Sequence, residues 1–219
     1  GRPNSDVIRK VVNATAPDLV REQWMVDFPP NMDDREASLY EFPFQHLART
    51  VRQKSGPWWI NPHVDPAQRA ALTRRERFLA TPIGFDPAFK WFSSELLPDS
   101  TLLVIARDDD FSHGLVSSRL FGVWWHALHS RRTPTLAVDS FPFPWAPSTP
   151  LSSLTRAQEE FRHALARAAR SGDRTAVDDA VFATYQWPND LGDDALVERL
   201  AALNRARADQ PTPPPTTLL

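Results

Sequence analysis

Apolar positions along this 219-residue chain follow two different spacings, and each change of spacing marks a predicted element. Residues 24–28, WMVDF, form a short apolar run closed by Pro29 and Pro30, which predicts a buried strand. Beyond it Ala37, Tyr40, Phe44, Leu47 and Val51 recur at steps of three and four, one face of a helix over about 33–52. Asp33 or Asp34 can cap that helix by accepting from free backbone N–H groups, and Pro43 should kink or break it. Residues 57–68 are rich in turn formers, and 67–79 are expected to make a short basic helix.

From about Phe78 to Ala106 the pattern becomes short β-like runs (FLA, FKWF, TLLVIA) separated by Pro, Gly and Asp. Helical spacing returns over 111–130, where Phe111, Leu115, Leu120, Val123, Trp124 and Leu128 can face a core. Pro134, Pro142, Pro144, Pro147 and Pro150 are too many for regular structure, so a boundary is expected within 133–150. Helices are predicted over 153–171, 173–186 and 193–208. The predicted fold is α+β: a small, largely antiparallel sheet flanked by helices within residues 1–147, then an all-helical segment 148–209. Residues 210–219 read as a disordered or polyproline-like tail, and no internal repeat is found.

Composition sets the class more than the function. Hydrophobic and aromatic fractions of 42% and 11% are those of a folded chain. No apolar run approaches the roughly 20 residues that span a bilayer, and no signal-like segment opens the chain, so a cytoplasmic location without a membrane partner is expected. The lack of cysteine excludes disulfides and thiolate metal sites. Asn13-Ala14-Thr15 fits a glycosylation acceptor only by chance in that setting, and a chain opening at Gly1 is expected of a fragment or a processed form.

Charge changes the picture in detail but not in bulk. A net charge of −2 and a pI near 6.3 argue against a strongly basic nucleic-acid binder. Yet Arg69, Arg74, Arg75 and Arg77 cluster, whereas 173–198 is mostly acidic. Only Lys10, Lys54 and Lys90 of the 25 basic residues are lysines. Arginine is the better fork for phosphate and guanine edges, although a GC-rich coding bias leaves the same composition.

Motif by motif, the chain is catalytically empty. Asp108, Asp109 and Asp110 follow an apolar run, but a metal-dependent nuclease would need a further carboxylate and a lysine on a neighbouring strand, and Pro98-Asp99 is followed by no such set. Asp109 or Asp110 capping the next helix is the expected reading. His126 and His129 lie three apart with His113 nearby, but a zinc site lacks further ligands. The seven glycines form no phosphate loop, and no nucleophile elbow is present. The aromatic run Phe141-Pro142-Phe143-Pro144-Trp145 reads as a rigid connector whose rings pin two parts together, rather than as a stacking loop.

Five ordered stretches nevertheless resemble one family. GRPNSDVIRKVVN with WMVDF and EASLYEFPFQHLARTVR, then RRERFLATP, then LLVIARDDDFSHGLVSSRLFGVWW, then DSFPFPW, and finally VDDAVFATYQWPNDLGDDALVERLAALNRARA are similar to blocks of the type IIG restriction–modification enzymes. These are large DNA adenine methyltransferases that carry endonuclease, methyltransferase and specificity parts in one chain. The resemblance covers most of residues 1–208. It implies a C-terminal portion lying after the methyltransferase core, whose S-adenosylmethionine motifs are missing from this chain. Such a portion would read double-stranded DNA beside the methyltransferase catalytic domain, in cis or as a separate chain. S-adenosylmethionine would belong to the parent enzyme, with no cofactor held here. Residues 83–90, IGFDPAFK, depart from the short basic segment usual in the family.

Sequence-specific binding needs phosphate contacts for register and a few side chains at base edges. Arg74, Arg75 and Arg77 are candidates for the first role, with Arg107 and Arg119 as further ones, and Lys90 lies in the variable segment where a base contact is expected. The alternative expectation is a protein-interaction module of such a system with no DNA contact of its own.

Overall fold

A computed structural model of the protein describes residues 1–52, 55–61, 65–128, 134–145 and 149–208. The fold is α+β, as predicted, but its strands divide between two three-stranded sheets. The first holds β1 (Ile8–Ala16), β2 (Leu19–Val26) and the two-residue β5 (Leu97–Pro98), in the order β2-β1-β5. The second holds β3 (Arg77–Pro82), β4 (Lys90–Ser93) and β6 (Leu102–Ile105), in the order β4-β3-β6 and antiparallel throughout.

The second sheet sits in the middle of the molecule, and its side chains show why LLVIA is apolar without alternation. Leu79, Leu103 and Ile105 point into one core cluster, while Phe78, Ala80, Leu102 and Val104 point into another. A strand buried on both faces has no polar side to write into its sequence. On one side lie β1, through Val12 and Ala14, and α3 (Pro66–Thr73), through Leu72. On the other lies the helical layer: α4 (Asp110–Ser117), α5 (Arg119–Ala127), α6 (Pro134–Ser140), α7 (Arg156–Ser171), α8 (Arg174–Tyr185) and α9 (Asp193–Ala208). A third, smaller cluster gathers Val7, Phe28, Met32, Ala37 and Tyr40 around α1 (Asp34–Ser38) and α2 (Glu41–Thr50).

Several predicted elements change shape. The 33–52 helix is two helices: Asp33 caps α1 by accepting from Glu36 N at 2.8 Å, and the break falls at Leu39 and Tyr40, leaving Pro43 in the first turn of α2 where it costs no hydrogen bond. WMVDF is not a buried strand. It is the end of β2, whose first six residues are exposed, and Trp24 retains 68% of its surface; only Asp27 and Phe28, past the strand, are buried. The basic 67–79 helix stops at Thr73 and β3 starts at Arg77. The 111–130 helix breaks at Ser118, which caps α5 by accepting from Phe121 N. Proline did not prevent structure in 133–150: Pro134 opens α6 at a position where its missing N–H is tolerated.

The three C-terminal helices fall as predicted, and Thr155 and Gln158 form a reciprocal cap at the start of α7. They do not form a separate core, however. One cluster runs from Leu79 through Leu115 and Phe121 to Leu165, Phe182 and Leu200, across the expected boundary near 147. Among the described residues no helix is long and apolar enough to cross a membrane. The predicted tail 210–219 lies outside the described residues.

Candidate nucleic-acid interface

Strand β6 delivers the chain into the acidic turn, and the turn is a structural device. Asp109 is the N-cap of α4 and accepts from both Ser112 N (2.8 Å) and Ser112 Oγ (2.9 Å). Asp110 accepts from Arg77 Nη2 at 2.8 Å and lies 3.5 Å from Arg170 Nη1. The Asp108 carbonyl accepts from Arg77 Nε at 3.1 Å. Two carboxylates at the positive end of a helix, each with a donor, are held by capping and by ion pairing. Among the described residues no group of three or more His, Cys, Asp or Glu side chains could hold a metal ion. His126 Nδ1 lies 3.8 Å from Asp86, and His129 lies outside the described residues.

Arg77 is the hub of this corner. Besides its two bonds to the acidic turn, its guanidinium sits 3.8 Å from the centre of the Trp91 ring, a cation over an aromatic face. Trp91 in turn meets His113 edge to face, with ring centres 5.3 Å apart. Burial holds the His113 imidazole below its usual pKa, opposed by a backbone hydrogen bond at Phe89 and by the Asp110 charge.

The other candidates occupy different settings. Arg74 is the C-cap residue of α3, exposed and without a side-chain partner among the described residues. Arg75, half-buried, donates to the Ala71 carbonyl and closes the end of the same helix. Lys90 Nζ donates to the Pro17 carbonyl at 3.1 Å and lies 3.7 Å from Asp18, which joins β4 to the turn between β1 and β2. Arg119 is remote from these: it donates to the Leu191 carbonyl and to Asp193, and its backbone N–H donates to Asp178, so it ties α5 to α8 and α9. Arg107 lines a cleft of about 280 Å³ with Asp108, Phe111, Trp145 and Arg162. The structure therefore leaves Arg74 and Arg75 at the end of α3, on the β1 side of the central sheet, turns Arg77 to α4 on the other side, ties Lys90 to the β1–β2 turn, and places Arg119 with α8 and α9.

The aromatic connector is a clamp. Trp145 stacks on Phe111 at 5.0 Å with ring planes 11° apart, Phe141 meets Phe121 and Phe143 edge to face, and Tyr185 Oη donates to the Pro142 carbonyl at 3.0 Å. The rings join α4 and α5 to the C-terminal helices, as their spacing suggested.

Sequence reasoning passed over the β1–β2 hairpin, whose exposed side chains include Arg9, Arg21 and Gln23. Their signal was weak because residues 8–16 do not alternate cleanly and residues 19–23 are polar and apolar without a period. Only the pairing register brings them to one face.

No family model and no curated protein matches this chain. A solved structure of the type IIL restriction–modification enzyme MmeI in complex with DNA is similar to it, with a TM-score of 0.57, 15% identity and coverage of 94% of this chain and 32% of that one. The chain thus spans about a third of the length of that enzyme, and at this identity the likeness is one of fold.

Proposed function

We propose that this chain is the sequence-recognition part of a site-specific adenine-N6 DNA methyltransferase of a restriction–modification or phage-defence system. One observation carries the reading: nearly the whole chain, 94% of it, follows the fold of a restriction–modification enzyme solved in complex with DNA. The ordered type IIG-like blocks agree with it. Methyl transfer, with or without cleavage, belongs to a catalytic domain in cis or in a separate chain, and S-adenosylmethionine is bound there.

In this chain the second sheet and α4 act as the rigid support and the cations do the contacting. Arg74 is free to meet a phosphate. Arg77 and Arg119 keep 39% and 38% of their side chains exposed, so each can hold the fold and still present an edge to the backbone of a duplex. Arg75, Lys90 and Arg107 complete the set. The test is a titration of the 219-residue chain against randomised duplexes, first at low and then at raised salt. Salt-sensitive binding that enriches particular sequences is expected, since each neutralised phosphate releases counterions. Absence of binding at every salt concentration overturns the reading.

A second reading, an interaction module without DNA contact, is favoured by the internal ties of Arg75, Arg77 and Arg119 and by the pI near 6.3. Stable association with a separate methyltransferase chain, leaving its DNA affinity unchanged, would establish it.

A further inference from the structure

The hairpin of β1 and β2 sorts its side chains by register. Cross-strand partners point to the same face. Lys10 with Trp24, Val12 with Glu22 and Ala14 with Val20 share one face, and Arg9 with Met25, Val11 with Gln23 and Asn13 with Arg21 share the other. The first face is buried only at Val12 and Ala14, while Lys10, Val20, Glu22 and Trp24 are exposed. Val12 and Ala14 are buried in the core cluster under β3, and Lys10 lies 3.1 Å from Glu22 and 5.5 Å from the Trp24 ring centre. The acidic residue of the turn, Asp18, lies 3.7 Å from Lys90.

Both carboxylates of the hairpin therefore have cationic partners, and the second face is left with uncompensated positive charge. On that face Val11 is buried and Met25, whose sulfur accepts from Asn61 Nδ2 at 3.5 Å, is half-buried, while Arg9, Arg21 and Gln23 are exposed and Asn13 is half-exposed. None of the four has a side-chain hydrogen bond or ion pair among the described residues. Two arginines and two carboxamides are the side chains that pair with guanine and adenine edges by two hydrogen bonds at once.

The dimensions also fit. Same-face residues along a strand repeat at about 6.8 Å, roughly twice the rise per base of about 3.4 Å. The third strand of this sheet pairs only with Val11 and Val12, so the remainder of β1 and β2 is a two-stranded ribbon, an element that the DNA major groove admits. We infer that this ribbon face enters the major groove, with Asn13 and Gln23 on base edges and Arg9 and Arg21 on guanine edges or the flanking phosphates. The inference rests on the DNA-reading function proposed above and names the element that does the reading.

Duplexes enriched by the wild-type chain from a randomised pool, an unrelated duplex and heparin serve as the three probes. The R9A/R21A double variant should bind the enriched duplex about ten-fold or more weakly. Q23A should leave binding to the unrelated duplex unchanged while relaxing the enriched sequence at one or two positions. The side chains are exposed and unpartnered, so both variants should keep the wild-type thermal midpoint, which checks folding. Unchanged affinity and an unchanged enriched sequence in both variants would overturn the ribbon and leave DNA reading standing. Equal losses on duplex and heparin, with the enriched sequence retained, would also overturn it, making the ribbon a charged patch. If the wild-type chain enriches no sequence, the proposed function fails first and takes the ribbon with it.

Discussion

Around α4 and α7 the molecule is held by close apolar packing, and on the other side of the central sheet an apolar cluster is joined by polar ties. A Cβ on Gly114 of α4 would lie 2.7 Å from Leu165 Cδ1 and 2.9 Å from its Cγ, so the two helices touch at a notch only glycine provides. Leu165 is fully buried there, and the aromatic clamp closes over the same layer. On the other side of the central sheet, the links between elements are Arg69 to Asp27, Lys90 to the β1–β2 turn, and Asp99 to Thr101, whose hydroxyl accepts from Ala14 N. Apolar packing is insensitive to charge and leaves nothing to offer a ligand. Polar ties consume only some of the charged groups and leave the others pointing outward. On the function proposed above, the helical layer gives support and the hairpin gives contact.

The largest expected effect tests the polar side. Asp27 retains only 3% of its side-chain surface and depends on Arg69, 2.7 Å away. Arg69→Met should destabilise the fold by about 3 kcal/mol, because it leaves a carboxylate buried without its partner. Urea unfolding measures this, and a loss under about 1 kcal/mol would mean that the tie is dispensable. Next comes the notch: Gly114→Ala should cost about 1–3 kcal/mol through overpacking against Leu165, read in the same way. A neutral outcome would show the helical layer to be as yielding as the sheet side and would erase the contrast.

A smaller effect is expected at the junction of the two regions. Asp109→Ala removes the cap of α4 and should cost about 1 kcal/mol, with Ser112 losing its acceptor. Catalytic or metal-dependent consequences are not expected, so added divalent cations should leave the thermal midpoint of the wild-type chain unchanged. The smallest effect is one of pH. Burial lowers the His113 pKa in the folded state, so the unfolded chain binds this proton more readily. The stability linked to neutral His113 is therefore complete above the unfolded pKa and declines as pH falls below it, through the folded value. His113→Phe should flatten that acid-side slope of stability against pH, and an unaltered slope would show that the ring is not the group responsible.

Legibility followed how local each signal was. The capping role of Asp109 could be read because a cap needs only a carboxylate a few residues before an apolar helical face. The C-terminal helices could be read because Leu, Ala and Arg at steps of three and four need no partner to be recognised. The connector rings were legible through their proline spacing. Arg77 stands out in the sequence only as a cation, and its place between Trp91, Asp110 and the Asp108 carbonyl depends on β4 and α4 meeting in space. The hairpin left little signal because β2 is exposed and carries no burial pattern, and the prolines near 147 interrupt helices without interrupting the core cluster that spans them.

By itself, then, the sequence determined the α+β class and the three C-terminal helices, since these follow from backbone preferences and periodicity within a few turns of chain. Only the tertiary structure decided that the strands form two sheets, that one core crosses the proline-rich connector, and that Arg9, Asn13, Arg21 and Gln23 share one face. Those facts depend on pairing and packing between residues far apart in the chain, where burial and register are set jointly by both partners.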